Sequence, residues 1–342
     1  MKNYPNMFRG SKQLVHDGCS PDRYLEAIFG LPYSQYRQEF RLAGSEGYVV
    51  KEFPLQLDFQ LNNRCNLRCI MCPWVEPDNV PDWYEPATEF PYEKFCEIVT
   101  DGVSSSCLQA INFEGLNEPL LKNDIATYIS FARDAGVLDL TMHTNALLLD
   151  KKMSKELIES GLTRLMVSLD AFTEETYCKI RRSNKFDVVM ENVAEFLHLR
   201  TEANANIPLL RISFVAQPAN MAEADDFRMF WAKYADYVFM QDMVDMTQLV
   251  HPERYSMTIN TPQFCTQPFY RMSVKANGDV FPCCCSLGHL YLSEGNVIKN
   301  SIRELWKSKH FESVRHLLKS GRYSEIKACK SCFENVFAEP LR

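Results

Sequence analysis

Thirteen cysteines hold most of the chemical potential of this 342-residue chain, and they are unevenly spaced. Cys65, Cys69 and Cys72 form a C-x3-C-x2-C run, while Cys265, Cys283, Cys329 and Cys332 form a dispersed set that closes with C-x2-C. The other six are Cys19, Cys96, Cys107, Cys178, Cys284 and Cys285. At about 4% the cysteine content lies below the roughly 8–10% of short disulfide scaffolds, and a chain of this size needs no staples. No apolar leader follows Met1, so the expectation is a cytoplasmic protein whose thiols serve metal or redox chemistry. Structural zinc takes four closed ligands, and three thiolates in one loop leave it one short. Three thiolates on a 4Fe–4S cube leave one iron open to a further ligand. Spacing alone leaves a cluster, zinc and unrelated thiols all open. For the second set, a four-thiolate zinc ribbon is the direct alternative.

The elements that must position these residues follow from periodicity. Leu55 to Leu61 alternates apolar and polar residues and reads as a strand that ends just before Cys65. Further strands are expected at 108–113, 138–143, 164–169, 209–216 and 236–241. Helices are expected at 92–101, 123–135, 151–160, 173–202 and 221–234. Such alternation builds a parallel sheet with right-handed crossovers. Periodicity does not separate an open six-unit barrel from a flat doubly wound sheet, but both gather ligands at the C-terminal strand ends. The first cysteine run occupies that position. Beyond residue 262 the texture changes: Ala276-Asn277-Gly278-Asp279 marks a hairpin between 270–275 and 280–282, and one helix opens near Ser301. The first 50 residues, with Tyr24, Phe29, Tyr33, Tyr36 and Phe40, are expected to form a short helical cover. A formal charge of −7 argues against a nucleic-acid partner, and no apolar run is long enough to span a membrane.

Cys65-x3-Cys69-x2-Cys72 after a first strand resembles the signature of the radical S-adenosylmethionine (SAM) superfamily. Gly115-Leu116-Asn117-Glu118-Pro119, Thr144-Asn145-Ala146, Val167-Ser168-Leu169-Asp170 with Tyr177–Arg181, and Asn220-x2-Glu223 resemble that superfamily's later motifs in order. Asn117 and Ala146 stand where glycine is usual. Cys265-x12-Gly278-x4-Cys283, Gly295-Asn296 and Leu305-Trp306 are similar to its C-terminal auxiliary-cluster module, in the shortened twitch form because no cysteine follows Cys332. The resemblance implies an α/β fold: a partial (β/α)6 TIM-like barrel followed by a small α+β twitch/SPASM-like cluster domain. Its divisions are 1–50 as an N-terminal extension, 51–245 as the radical SAM core and 246–342 as the cluster domain. It implies SAM and two 4Fe–4S clusters, one on Cys65, Cys69 and Cys72, the other on Cys265, Cys283, Cys329 and Cys332. Cys283 is preferred over its neighbours by its spacing from Gly278. Glu118, Asn145, Ser168, Asp170 and Arg181 are the implied SAM-contacting residues, with Arg182 a rival for the last.

The implied chemistry is reductive cleavage of SAM to a 5′-deoxyadenosyl radical, fed by an external one-electron donor such as flavodoxin or ferredoxin. That radical then takes hydrogen from a substrate. The expected substrate is a small polar molecule (a sugar, nucleotide-sugar or aminocyclitol), with Gln217, Gln241 and Asp242 as candidate contacts. Dehydrogenation is the expected outcome. Epimerisation with Cys284 or Cys285 as hydrogen donor, a peptide-modifying maturase docking its substrate on the aromatic N-terminal segment, and a non-catalytic zinc or iron–sulfur protein are the alternatives. Cys19, Cys96, Cys107 and Cys178 read as apolar fillers, and His143 as a satisfied strand-end histidine.

Overall fold

The computed structural model describes residues 4–15, 19–72, 87–242, 265–284, 293 and 295–336. Three helices come first, α1 (Tyr4–Met7), α2 (Pro21–Phe29) and α3 (Leu31–Leu42). Strand and helix then alternate as β1 (Gln56–Phe59), α4 (Tyr92–Ser104), β2 (Ala110–Phe113), α5 (Ile125–Ala135), β3 (Asp139–Thr144) and α6 (Lys151–Glu159). The series continues with β4 (Arg164–Ser168), α7 (Glu174–Arg181), α8 (Phe186–Glu202), β5 (Leu209–Ala216), α9 (Ala224–Trp231) and β6 (Tyr237–Asp242). The C-terminal part adds α10 (Gln267–Tyr270), β7 (Arg271–Val274), β8 (Val280–Phe281), α11 (Ile302–Trp306), α12 (Lys309–Lys319) and α13 (Lys327–Val336).

The strands lie in the order β6-β5-β4-β3-β2-β1-β7-β8, and β1 to β6 pair in parallel. A doubly wound sheet reverses its order at a switch point. Here neighbours follow chain order from β1 to β6, as barrel strands do, so the core is a partial TIM-like barrel. The expected hairpin forms as antiparallel β7 and β8, and β7 extends the sheet beside β1.

Alternation along each strand separates two faces. Leu57 and Phe59 of β1, Leu140 and Met142 of β3, and Leu210, Ile212 and Phe214 of β5 pack into the apolar layer beneath the helices. Their alternates face the bore and are mostly polar, among them Asp58, His143, Arg211 and Ser213. The N-terminal helices close the bottom of this bore. Arg164 of β4 pairs with Asp22 at 2.7 Å and with Asp139 at 3.2 Å, and also donates to the Tyr33 hydroxyl. Tyr36 donates to Asp139.

Two helices differ from expectation, and each break has a local cause. The 173–202 segment divides because Arg182 adopts a left-handed conformation at φ 52° and starts a polar turn, after which α8 begins. The helix expected from Ser301 divides at Lys307 because the Ser308 hydroxyl caps a new start by accepting the Phe311 N–H. Among the described residues no helix is long and apolar enough to cross a membrane.

Candidate functional site

The first cysteine run sits in the loop leaving β1, at the C-terminal mouth of the barrel. Cys69 is buried, and Cys65 and Cys72 are half-buried. Two contacts from α7 hold this loop: the Ile70 N–H donates to the Ile180 carbonyl at 2.9 Å, and Arg181 donates to the Cys69 sulfur at 3.4 Å. The break after α7 therefore has a use, since it turns Arg181 inward and leaves Arg182 on the surface. Arg181 also donates to Asp170 at 2.6 Å. Burial opposes the Arg181 charge, but Asp170 and Cys69 outweigh it and hold the guanidinium protonated. Burial pushes the Cys65 thiol up to about 12. A metal reverses that preference, because thiolate is the form that ligates.

Glu118, just before a short 3-10 turn, is fully enclosed. Its carboxylate accepts from Thr144 Oγ1 at 2.6 Å, the Asn145 N–H at 2.8 Å and the Leu120 N–H at 3.1 Å. Burial pushes its pKa up while these donors pull it down. Asn145 in turn donates to Asn66 inside the cysteine loop at 2.7 Å. Ala146, rather than Asn145, takes the left-handed conformation at φ 59°, the place where a glycine would cost less. Asp170 accepts the Val215 N–H at 2.8 Å besides Arg181. Asn220 holds the Asp170 carbonyl, and Glu223 accepts from the Phe172 N–H just before α7 and from Thr176 Oγ1 in its first turn. Glu118, Asn145, Asp170 and Arg181 are thus brought together around one loop, but as an interlocked frame. Ser168 ends β4 on the bore face, in register with Ser213.

The atoms left for a ligand are different ones. Asn117 has both polar side-chain atoms buried without a partner, as do the Tyr177 hydroxyl, Gln60 Oε1, Ser213 Oγ and Gln217 Nε2. All but Tyr177 lie on or just beyond the C-terminal half of a strand. Buried polar groups without partners are costly, so this mouth fits a polar ligand such as SAM beside a thiolate-held cluster. Asn117 was legible only as a departure from glycine, and nothing in the spacing singled out Gln60 or Ser213. Gln241 is exposed at the end of β6, and the Asp242 side chain and Cys285 lie outside the described residues.

The second set converges across the C-terminal part. Cys265, Cys283, Cys329 and Cys332 line one cavity with Pro268, Pro282, Val314, Leu318 and Phe333. Burial pushes the Cys265 thiol up to about 12, with Cys283 adding to the rise. Among the described residues no three His, Cys, Asp or Glu groups close around a single-ion point; the four thiols line a mostly apolar cavity. Cys284 is turned elsewhere, its sulfur 3.5 Å from Arg271 Nη1. Of the cysteines expected to be fillers, Cys107 is buried and Cys96 half-buried, but Cys19 and Cys178 are exposed.

Residues 59–213 match the family model of the radical SAM superfamily, and residues 265–333 match the iron–sulfur cluster-binding domain called SPASM. A GTP 3′,8-cyclase of Thermodesulfovibrio yellowstonii is 32% identical over 183 residues, 53% of this chain and 53% of that protein. The chain spans about half the length of the GTP 3′,8-cyclases it matches. Among solved structures, BtrN in complex with AdoMet and 2-DOIA shares the fold at a TM-score of 0.54 and 19% identity, over 82% of this chain and 93% of that one. SuiB of Streptococcus suis, bound to the precursor peptide SuiA, does so at 0.57 and 16%, over 83% and 70%. Joined to the fold and the two thiol sets, these matches place the chain in the radical SAM superfamily, with a SPASM domain that implies two 4Fe–4S clusters beside SAM.

Proposed function

We propose that this radical SAM enzyme is an oxidoreductase that removes hydrogen from a small polar substrate seated in the barrel bore, with dehydrogenation as the outcome. The observation that carries the small-molecule reading is the fate of the N-terminal aromatic residues. A peptide-modifying enzyme would need them as an open dock, whereas Tyr33 and Tyr36 are buried at the barrel bottom, 0% and 3% exposed, and Tyr24, Phe29 and Phe40 are half-buried. The polar surface that remains for substrate faces the bore.

In this reading Cys65, Cys69 and Cys72 hold the first cluster, and Cys265, Cys283, Cys329 and Cys332 the auxiliary one. Bound there, the first cluster and SAM supply a radical able to take hydrogen from an unactivated C–H bond, and the auxiliary cluster supplies an electron acceptor. The chain's own contribution is positioning. Glu118 and Asp170 spend their carboxylates on Thr144, Asn145, Val215 and Arg181, so they shape the SAM site more than they reach into it. Asn117, Ser168 and Tyr177 offer polar atoms to SAM, and Gln217 offers its amide to substrate. Dehydrogenation also requires a proton to leave. Glu114, whose Oε2 is 3.1 Å from His143 Nε2, is the carboxylate on the bore side placed to accept it. A flavodoxin- or ferredoxin-type donor provides the starting electron.

One observation favours epimerisation as the second reading. The Cys284 thiol touches Arg271, whose guanidinium also holds Asp58 at 3.1 Å on the bore face, so a hydrogen donor lies close to the substrate wall. Turnover in D2O with reconstituted protein separates the two. A product lighter by two hydrogens supports dehydrogenation, and an isomeric product carrying deuterium supports epimerisation. Protein that binds stoichiometric zinc, takes up no iron and leaves SAM intact would overturn the enzyme reading.

A further inference from the structure

The bore is built from charges, and among the described residues all of its arginines but one have an acid. Asp139 pairs with Arg164 at 3.2 Å. Asp58 and Glu114 share Arg271, at 3.1 and 3.7 Å. Arg211, the third of the eight residues of β5, has no carboxylate within ion-pair distance and no hydrogen bond among the described residues; its Nε is fully enclosed and unpartnered. Its one direct contact partner among the described residues is the ring of Phe239, whose centroid lies 4.8 Å from the guanidinium carbon, while Tyr237 and Glu114 act on its charge only through space. Stacking on a ring leaves the guanidinium N–H groups free in their own plane.

The side of the sheet on which this cation sits is set by its neighbours. Leu210 and Ile212 join the apolar layer under the helices, so Arg211 projects to the opposite, inner face. Arg211 is in register with Met166 of β4 and Tyr237 of β6. It is close enough to His143 of β3 to help keep that imidazole neutral. Two residues further along the same face, and nearer the mouth, Ser213 is 6% exposed and its hydroxyl has no partner. A half-buried cation and a buried hydroxyl, both unmatched on one face of one strand, are costly unless something completes them. Guanidinium matches the planar or tetrahedral oxyanion of a carboxylate or phosphate in bidentate fashion.

We propose that Arg211, with Ser213 beside it, is the anchor for an oxyanion carried by the substrate, a phosphate or carboxylate group. The inference rests on the reading that substrate occupies the bore, and it narrows the substrate class to small polar molecules bearing a negative group. Among the described residues the other bore arginines are tied to Asp58, Glu114 and Asp139, so none of them is a ready substitute for Arg211.

The test is isothermal titration of inorganic phosphate, and separately of acetate, into the reconstituted protein saturated with SAM. Saturable binding of either anion by the wild type, weakened at least tenfold in Arg211→Met and less in Arg211→Lys, is the expected result. Preference for phosphate or for acetate identifies which oxyanion the substrate carries. Iron content and circular dichroism establish that the variants are folded, and the wild-type titration stands without them. Absence of saturable binding to the wild type, or equal binding by folded Arg211→Met, overturns the proposal. Iron content and reductive SAM cleavage by the wild type are measured alongside. If these fail, the enzyme reading falls; if they succeed while anions do not bind, only the anchor falls.

Discussion

Arg181 and Cys69, separated by 112 residues in the chain, meet at 3.4 Å, guanidinium to sulfur. The same side chain pairs with the fully buried Asp170, so one residue joins the cysteine loop to the β4 end. Replacing Arg181 by Leu leaves an uncompensated buried carboxylate, a change that typically costs about 3–5 kcal/mol. Urea denaturation of the reconstituted protein should show a loss of that size, with Arg181→Lys losing less. An unchanged midpoint would mean that the pair contributes no net stability.

The two thiol sets should separate by iron count. With two 4Fe–4S clusters the wild type carries about eight irons per chain. Cys69→Ala should keep about four and lose SAM cleavage. Cys283→Ala should also keep about four, with the SAM-linked cluster signal intact. Cys284→Ala should keep about eight, since its sulfur is turned toward Arg271. A loss of half the iron in Cys284→Ala, with none in Cys283→Ala, would transfer the ligand role.

Much of the frame was legible because its signals are local. Six alternating strands announced the parallel sheet, and the Asn277-Gly278 turn announced the β7–β8 hairpin. The choice between barrel and flat sheet was not, because strand order depends on pairing between distant segments. The cysteine runs were visible as spacing, yet their frame depends on contacts such as Asn66 with Asn145 and Ile70 with Ile180, which no window contains. Arg211 was invisible for the opposite reason. It reads as an ordinary strand polar residue until each bore acid is seen to belong to another arginine.

The N-terminal helices should act on stability and not on substrate affinity. Arg164 donates to the Tyr33 hydroxyl, which in turn faces Asp139 at 3.4 Å, all at the bottom of the bore. Tyr33→Phe strands those groups, at a cost of about 1–3 kcal/mol. Thermal denaturation should register it, while the KM of the substrate stays unchanged. A raised KM with unaltered stability would return the segment to a substrate-binding role. Deletion of residues 1–45 is a poorer probe, since it uncovers the surface that Leu25, Tyr33 and Tyr36 bury.

Gly278 shows why the auxiliary module needs glycine between its first two cysteines. Its φ is 91°, and a Cβ there would lie 2.7 Å from Asn296 Oδ1 and 2.8 Å from Ile298 Cγ1. Asn296 holds the hairpin turn through the Asn277 carbonyl and Asp279. Gly278→Ala combines strain with a clash, so a loss of about 1–3 kcal/mol is expected. Because β8 leads directly to Cys283, iron content should fall toward about four per chain. Full iron with an unshifted melting temperature would show that the turn yields freely.

The bore carries its own pH signature. Burial pushes the Asp58 carboxyl up to about 6, against the pull of Arg271. Its unfolded value lies near 3.9, so between those limits the folded protein holds a proton that the unfolded chain has released. The term contributed by Asp58 therefore favours folding most at low pH, declines as pH rises from about 4 to about 6, and is flat above, changing by at most about 3 kcal/mol in all. Asp22 works in the opposite direction, since Arg164 and Arg37 outweigh burial and hold its carboxyl down, so the wild-type curve alone mixes the two. The difference between wild type and Asp58→Asn, taken by urea denaturation between about pH 4 and pH 8, isolates the bore. Relative to wild type the variant should gain stability through that window, because asparagine keeps an acceptor for Ser273 and has no proton to lose. A difference that stays constant with pH, or that declines as pH rises, would mean Arg271 holds Asp58 ionised throughout, and the bore would then enter catalysis with that pair already fixed.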